Sequence, residues 1–347
     1  MPADPIPHGA SASGAGTPAG DARSGGWHSG DAPLRLAQTA LRDVPWEVGV
    51  AKPDPVVVVD GVTRQFGGLT AVSVDHLEIQ RGGITGLIGP NGAGKTTLFN
   101  LLTGFDQPNS GSWTYDGRSL SNLPPHRVAR LGVVRTFQLT KALSRLTVLQ
   151  NMLLGAQGQK GESFLGALLP GWRSQERANT EKAMDLLQRF KLDAKKDDFA
   201  GTLSGGQRKL LEMARALMSD PKVVMLDEPM AGVNPALTQS LLGHVKDLRE
   251  QGMTVIFVEH DMDVVRDISD WVVVMAAGRV IAEGPPESIS QNQAVVDAYL
   301  GAHHDAPLTV EEEDRVLAEA SQAIAREEKV DGEVLQSDGT PRGETDR

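Results

Sequence analysis

The 347-residue chain contains no cysteine, which excludes disulfide bonds, thiolate metal sites and a cysteine nucleophile. It also has no run of 18 or more consecutive apolar residues, so the sequence predicts no membrane-spanning helix. The N-terminus lacks the basic start and the apolar stretch of a secretory signal. Together these absences predict a protein that stays in the cytoplasm.

The chain has no excess of basic residues either. Its formal net charge is −11, but residues 305–347 alone contain 13 acidic and 5 basic residues. Residues 1–50 contain 5 acidic and 3 basic residues, which leaves residues 51–304 with a net charge of only −1. Because a nucleic-acid-binding domain needs a basic footprint, we expect no nucleic-acid partner.

Composition divides the chain into three parts. Residues 1–33 are rich in Gly, Pro, Ala and Ser, which predicts a disordered leader over about residues 1–50, with one or two amphipathic turns over residues 35–48. Translation starting nearer Val50 is an alternative. Residues 55–302 have the pattern of a folded domain. Residues 305–347 are expected to form an acidic helical or disordered tail, either a solvated helix or an arm that docks on a partner.

Short apolar runs and helical patterns alternate through the middle part. Strands are predicted over residues 56–59, 72–79, 84–88, 223–226, 254–258 and 271–275. Helices are predicted over residues 95–103, 181–190, 208–218, 235–250 and 264–269, and a loop with a short helix over residues 155–177. This alternation is typical of an α/β fold with a parallel sheet.

A glycine-rich loop lies between the strand predicted at residues 84–88 and the helix that follows it. The loop matches G-x-x-x-x-G-K-[ST] over Gly89, Pro90, Asn91, Gly92, Ala93, Gly94, Lys95 and Thr96, with Thr97 next along the helix. Its glycines let backbone N–H groups converge on phosphate oxygens at the positive end of the helix. Such a lysine reaches the β- and γ-phosphates, and such a hydroxyl binds Mg²⁺.

A second acidic element follows the apolar residues 223–226. Asp227 and Glu228 come directly after this run, which delivers them to the carboxyl edge of a sheet, where nucleotides bind. Asp227 is predicted to hold Mg²⁺ and Glu228 to act as general base for an attacking water. Alone, this pattern is as typical of a solvated acidic turn, but the phosphate loop upstream favours the site.

The most specific string consists of Leu203, Ser204, Gly205, Gly206 and Gln207. A serine and two glycines before an apolar-periodic helix form a second anion site. The phosphate loop, this string and the acidic strand end, in this order, resemble the nucleotide-binding subunit of an ATP-binding cassette (ABC) transporter. The resemblance covers about residues 55–302. It implies an α/β P-loop NTPase fold with a mixed core sheet, an antiparallel β subdomain and a helical signature subdomain at about residues 140–220.

The resemblance also implies a head-to-tail dimer with ATP between the phosphate loop of one subunit and the signature string of the other. Ser204 and Gly206 then serve the partner's nucleotide. Phe66 matches the aromatic residue that stacks on adenine, although core packing is an equal alternative. Gln138 matches the glutamine that senses Mg²⁺ and the attacking water, and His260 the switch histidine that contacts the γ-phosphate. Asn234 departs from the commoner aspartate, which leaves a salt bridge across the interface in doubt.

Further strings are similar to the ATPases of branched-chain amino acid importers, and fit the larger of their two types: Arg-Thr-Phe-Gln at 135–138, Ala-Gly-Val-Asn-Pro at 231–235, Glu-His-Asp-Met-Asp at 259–263 and Ala-Tyr-Leu-Gly at 298–301. The resemblance implies two membrane permeases, a second ATPase subunit, identical or different, and an external solute-binding protein. It places the chain on the inner face of the cell membrane. Related systems carry amides or urea, so the cargo stays open.

Two other interpretations of the sequence are alternatives to an importer ATPase. One is an exporter ATPase of the lipopolysaccharide type, which the strings at 135–138 and 231–235 disfavour. The other is a soluble regulatory or translation-associated cassette protein. Such proteins usually join two cassettes or carry a long coiled coil, whereas this sequence has one phosphate loop, one signature string and no heptad insertion between them.

Overall fold

A computed structural model describes residues 34–136, 144–157 and 172–304. In these residues the strands are β1 (Pro55–Phe66), β2 (Leu69–Gln80), β3 (Ile84–Ile88), β4 (Ser110–Tyr115), β5 (Arg118–Ser119), β6 (Val133–Arg135), β7 (Val223–Asp227), β8 (Thr254–Val258), β9 (Trp271–Ala276) and β10 (Arg279–Gly284). The α-helices are α1 (Leu34–Leu41), α2 (Lys95–Leu102), α3 (Pro125–Arg130), α4 (Val148–Leu153), α5 (Trp172–Arg189), α6 (Gly205–Leu217), α7 (Pro235–Glu250), α8 (Met262–Ile268), α9 (Pro286–Ile289) and α10 (Gln293–His304).

The central sheet has six strands in the order β10-β9-β3-β8-β7-β6. All neighbours pair in parallel except β10, which runs antiparallel to β9, so the sheet is mixed as expected. Strand β3 therefore lies between β9 and β8, with β7 one strand further. Because the carboxyl ends of parallel strands meet at one edge, the loops after β3, β7 and β8 converge there.

The strands of the central sheet are buried on both faces, which explains their continuous apolar runs. In β7, Val224 and Leu226 face a core shared with helices α4 to α8, whereas Val223 and Met225 face a core shared with α2 and the second sheet. That second sheet is antiparallel, with the order β2-β1-β4-β5, and corresponds to the expected β subdomain. Helices α4, α5 and α6 pack on one another in the region expected to be helical.

The expectation of a disordered leader over residues 1–50 is wrong for residues 34–50, whereas the amphipathic turns expected over residues 35–48 are present in part as helix α1. Leu41, the last residue of helix α1, and Val44, in the segment that follows, are both buried against the domain. The Gly49 backbone N–H donates to Glu283 at 2.5 Å. Lys52 forms an ion pair of 2.7 Å with the same carboxylate, and both side chains are almost fully buried. These contacts attach the segment to β10.

Other boundaries differ from the predictions in ways that have a local cause. Strands β1 and β2 are longer than predicted because they form one hairpin, in which exposed polar positions alternate with buried ones. Helix α5 begins at Trp172, within the region predicted to be a loop with a short helix. Its first turns are polar and exposed, so they lack the apolar pattern from which a helix start could be predicted. The proposed tail at 305–347 lies outside the described residues. Among the helices of the described ranges, none has the length and apolarity needed to cross a membrane.

Candidate functional site

The phosphate loop connects β3 to α2, as the sequence predicts. Two of its glycines are required by close packing, because a Cβ on Gly89 would overlap the backbone carbonyl oxygen of Met275 and one on Gly94 would overlap that of Ala71. Their φ angles of 144° and 97° also lie in the region that favours glycine. At the loop tip, Asn91 and Gly92 are exposed. The two ends of the loop are thus packed against neighbouring backbone, and its tip is accessible to solvent. This arrangement allows backbone N–H groups to bind a phosphate.

Two glycines of the phosphate loop allow a matched pair of substitutions that tests this packing. Gly89 and Gly92 both have positive φ, but a Cβ on Gly92 meets no atom within 4 Å. We expect Gly89→Ala to lower the free energy of unfolding by about 2 kcal/mol more than Gly92→Ala, because only the first substitution forces backbone atoms apart. Urea denaturation followed by tryptophan fluorescence measures both values. Equal losses for the two variants would contradict the packing argument.

Lys95, the first residue of α2, folds its side chain back over the loop. Its Nζ donates to the carbonyl oxygens of Gly89 and Pro90 at 2.6 and 3.0 Å. Burial lowers the pKa of the Lys95 ammonium, while the carboxylates of Glu228 and Asp227 act in the opposite direction. The structure therefore brings the predicted phosphate-binding lysine and the predicted acidic pair into one electrostatic neighbourhood. Thr96 is exposed and Thr97 is half-buried on the same turn of α2.

The acidic pair lies at the carboxyl end of β7, as predicted. The Asp227 carboxylate accepts a hydrogen bond of 2.5 Å from the guanidinium of Arg135, and both side chains are mostly buried. Glu228 has a φ of 45°, a strained conformation for a residue with a side chain. Its backbone is held on both sides, since its N–H donates to Val258 and its carbonyl oxygen accepts from Lys209. The turn after β7 is thus fixed in position.

His260 follows β8, the strand next to β7, and its side chain is 68% exposed. The preceding Glu259 is a residue that sequence reasoning quoted without giving it a role. Its buried carboxylate accepts hydrogen bonds from the backbone N–H groups of Met230 and His260, at 3.0 and 3.4 Å. Burial raises the pKa of this carboxyl, and the two N–H donors oppose the rise. Glu259 therefore ties the histidine to the turn after the acidic pair.

The signature string begins α6 and has a structural role as well as the predicted anion-binding one. Ser204 is the N-cap of α6, and it exchanges hydrogen bonds with Gln207 in a capping box. Gly206 is buried, and a Cβ there would overlap the side chain of Leu237 in α7. Leu203 is buried in the core, whereas Ser204 and Gly205 are exposed. The outer end of the string is thus open to a second molecule. The spacing of Ser204 and Gln207 could have predicted the capping box.

The remaining predicted residues lie at the edge of the site or outside the described chain. Phe66 ends β1 and is 50% exposed, so the alternative of core packing is wrong. The guanidinium of Arg64 lies 4.5 Å from the centre of its ring. Asn234 caps α7 by accepting a bond from the Leu237 N–H at 2.9 Å. Gln138 lies outside the described residues.

Tyr299, in α10, is a functional candidate that the sequence did not predict. Burial raises the pKa of its phenol, and the backbone N–H of Gly89 opposes the rise from the phosphate-loop side. The string at 298–301, used only as a family feature, thus contains a residue that lies beside the phosphate loop. The periodicity of α10 alone gives no signal of this proximity.

The buried carboxyl of Glu212, in α6, is expected to make the free energy of unfolding depend on pH. The residue is 8% exposed, and burial raises the pKa of its carboxyl from 4.5 to about 7, against the opposing charges of Lys209 and Arg215. A raised carboxyl pKa means that ionisation costs stability, a cost that is absent below pH 4.5 and complete above about pH 7. The shift corresponds to roughly 3 kcal/mol.

We therefore expect Glu212→Gln to increase the free energy of unfolding at about pH 8 and to change it little at about pH 4.5. Urea denaturation at the two pH values measures the difference. Glu181→Gln, at an exposed position in α5, is the control and should show no such pH dependence. An effect of Glu212→Gln that is equal at both pH values contradicts the burial argument.

A mostly parallel sheet with a lysine-bearing phosphate loop at its carboxyl edge defines a P-loop nucleoside triphosphatase (NTPase). The helical unit that begins with Leu-Ser-Gly-Gly-Gln narrows the class to the ATP-binding cassettes. In agreement, the family model "ABC transporter" matches residues 72–231. The model "Branched-chain amino acid ATP-binding cassette transporter" matches residues 279–305.

Relatives cover the cassette almost completely. The probable branched-chain amino acid transport ATP-binding protein LivG of Archaeoglobus fulgidus is 42% identical over 247 residues, which is 71% of this chain and 96% of that protein. The high-affinity branched-chain amino acid transport ATP-binding protein BraF of Pseudomonas aeruginosa is 43% identical over 250 residues, 71% of this chain and 98% of that protein. The crystal structure of the ADP conformation of MJ1267, an ABC transporter cassette, is 35% identical, with a TM-score of 0.63 over 71% of this chain and 99% of that one.

The chain therefore belongs to the ATP-binding subunits of ABC transporters. It binds nucleotide and is an ATPase whose turnover powers transport through membrane permeases.

Proposed function

We propose that this chain powers an importer of branched-chain or related hydrophobic amino acids from the inner face of the cell membrane. The relatives whose names state this cargo cover the whole cassette, and the C-terminal match at residues 279–305 carries the same cargo name. The observation that carries the mechanism is that Lys95, Asp227 and Glu228 lie at one edge of the central sheet, where the two carboxylate charges act to raise the pKa of the Lys95 ammonium. One sheet edge thus holds the groups for binding and for hydrolysis.

Nucleotide binding is assigned to the phosphate loop and Phe66. The phosphates of ATP lie against the N–H groups of the loop and the start of α2, where the helix dipole favours negative charge. Lys95 exchanges its two carbonyl acceptors for phosphate oxygens, which are stronger partners because they are charged. The half-exposed ring of Phe66 provides a stacking surface for adenine at the end of the β1–β2 hairpin.

The residues available for Mg²⁺ fit that ion. Asp227 supplies a carboxylate at the sheet edge and Thr96 an exposed hydroxyl, and both are oxygen ligands of the kind that Mg²⁺ prefers. Gln138 is assigned as a third ligand from the family resemblance alone. When bound, Mg²⁺ neutralises charge that develops on the phosphate oxygens.

Hydrolysis is assigned to Glu228 and His260. Glu228 accepts the proton of the attacking water as general base, and its strained, doubly anchored backbone fixes the position from which the carboxylate extends. His260 holds the γ-phosphate from the neighbouring strand, with Glu259 fixing its backbone. Gln138 is proposed to orient the water.

Two ATPase subunits, this chain twice or this chain with another, are proposed to enclose ATP between them. The exposed hydroxyl of Ser204 and the backbone N–H groups of Gly205 and Gly206, in the first turn of α6, are proposed to serve the partner's nucleotide. Closure of this pair on binding ATP moves two permeases, and hydrolysis reopens it. An external solute-binding protein acts through the permeases.

A membrane pull-down with the tagged full chain tests this function. The proposal expects two membrane permeases and an ATPase partner to be recovered with the chain in detergent. Recovery of the chain only with ribosomes or DNA, and never with permeases, would end the transport proposal.

A further inference from the structure

Arg135 ends β6 and lies beside β7, where its backbone is paired with Met225. Its side chain is only 8% exposed. One arm of the guanidinium, Nη2, donates to Oδ2 of Asp227 at 2.5 Å. The predicted metal ligand therefore has a cationic partner from the neighbouring strand.

The other arm of the same guanidinium reaches the phosphate-loop helix. Nη1 donates to Oδ1 of Asn100 in α2 at 2.6 Å. The guanidinium carbon also lies 5.6 Å from the ring centre of Phe99, which is fully buried in α2. Arg135 thus joins the helix that begins with Lys95 to the strand that ends in Asp227.

This arrangement needs an arginine. A guanidinium is a planar fork whose arms hold two acceptors in a fixed relative position, whereas a lysine ammonium is a point charge on a flexible stem. The bond to Asp227 uses Oδ2, and in the described part of the chain Oδ1 receives no hydrogen bond. One oxygen of the carboxylate is fixed and the other is left for a cation.

We propose that Arg135 is a positioning residue for the metal site, which holds the Asp227 carboxylate in register with α2 before the metal binds. The inference rests on the proposed function, because it takes Asp227 as a metal ligand. Groups that orient a metal ligand in this way typically contribute ten- to a hundredfold in metal affinity.

Two simpler roles make different predictions. If Arg135 only neutralised Asp227, its removal would leave a freer carboxylate charge and tighten the binding of a cation. If it only stabilised the fold, its removal would lower the melting temperature without changing the dependence of nucleotide binding on metal. A positioning role alone predicts weaker metal binding with unchanged binding of metal-free ATP.

The experiment titrates Mn²⁺ into the ATP complex of the full chain and follows free Mn²⁺ by electron paramagnetic resonance. We expect Arg135→Gln to raise the half-saturating Mn²⁺ concentration by about ten- to a hundredfold and Arg135→Lys by about tenfold. ATP affinity in excess chelator should change by less than about threefold, because the two arms of the guanidinium bond to Asp227 and Asn100. Arg135→Lys keeps the charge and serves if Arg135→Gln does not fold.

Arg249→Gln is the matched control, because Arg249 forms a buried ion pair of 2.7 Å with Asp270 near the amino end of β3. It should lower the melting temperature and leave Mn²⁺ binding unchanged. Tighter or unchanged Mn²⁺ binding in both Arg135 variants overturns the proposal. Asp227→Asn tests separately whether Asp227 is a metal ligand and whether Arg135 positions it. If Asp227→Asn leaves Mn²⁺ binding unchanged, Asp227 is not a metal ligand, and the positioning role of Arg135 fails as well.

Discussion

Glu228→Gln is expected to bind ATP and to lose turnover by about 10²- to 10⁴-fold, the range that a general base contributes. The amide has the shape of the carboxylate but cannot accept the proton of the attacking water. Nucleotide binding should persist, because the contacts assigned to the phosphates come from Lys95 and the phosphate loop. With hydrolysis blocked, the ATP-bound pair of subunits should also accumulate.

Three measurements on purified protein check this result: phosphate release, equilibrium binding of a fluorescent ATP analogue, and the mass of the complex with MgATP by light scattering. Glu250→Gln, an exposed glutamate at the end of α7, is the control and should turn over like the unmodified chain. Full turnover by Glu228→Gln would remove Glu228 from its assignment as general base.

Lys95→Ala is expected to weaken ATP binding by about ten- to a hundredfold, since each charge-assisted hydrogen bond contributes roughly 1.5–3 kcal/mol. The structure adds a reason why the loss stays in this range. The Lys95 ammonium already donates to two carbonyl oxygens. Nucleotide binding therefore replaces these two hydrogen bonds with bonds to phosphate, and the gain is the difference between the two sets. Isothermal titration calorimetry with ATP measures the change directly.

Lys246→Ala is the control for the loss of a lysine, because Lys246 pairs with Asp267 on the surface and its removal should leave ATP affinity unchanged. Circular dichroism shows whether Lys95→Ala remains folded. If the folded variant binds ATP as tightly as the unmodified chain, the phosphate-loop lysine does not contact the nucleotide.

The sequence was sufficient for elements whose signals are local. The apolar run and glycines predict β3 and the start of α2, and they give Ile84–Ile88 and Lys95 correctly. Helix α7 was predicted at its observed bounds because its pattern is continuous from Pro235 to Glu250; in the structure Asn234 caps its start. The expectation that Asp227 and Glu228 lie at the sheet edge near Lys95 is consistent with the structure, since a strand end fixes their direction.

Features that depend on distant parts of the chain could not be predicted. Arg135 and Asp227 are 92 positions apart, and their contact requires the β6–β7 neighbourhood, which no local pattern specifies. The burial of Glu259 likewise depends on the turn after β7. Segment 34–50 was misjudged because its few apolar residues find their partners on a surface that only the folded domain provides.

ATP-dependent uptake by vesicles that contain this chain with its recovered permeases and binding protein tests the central claim most directly. With ATP on the side of this chain, labelled leucine should accumulate, excess isoleucine should compete and excess urea should not. The same vesicles with Glu228→Gln should show no accumulation above the ATP-free level. Leucine uptake that persists at the unmodified rate with Glu228→Gln, or accumulation of urea and not leucine, would contradict the account.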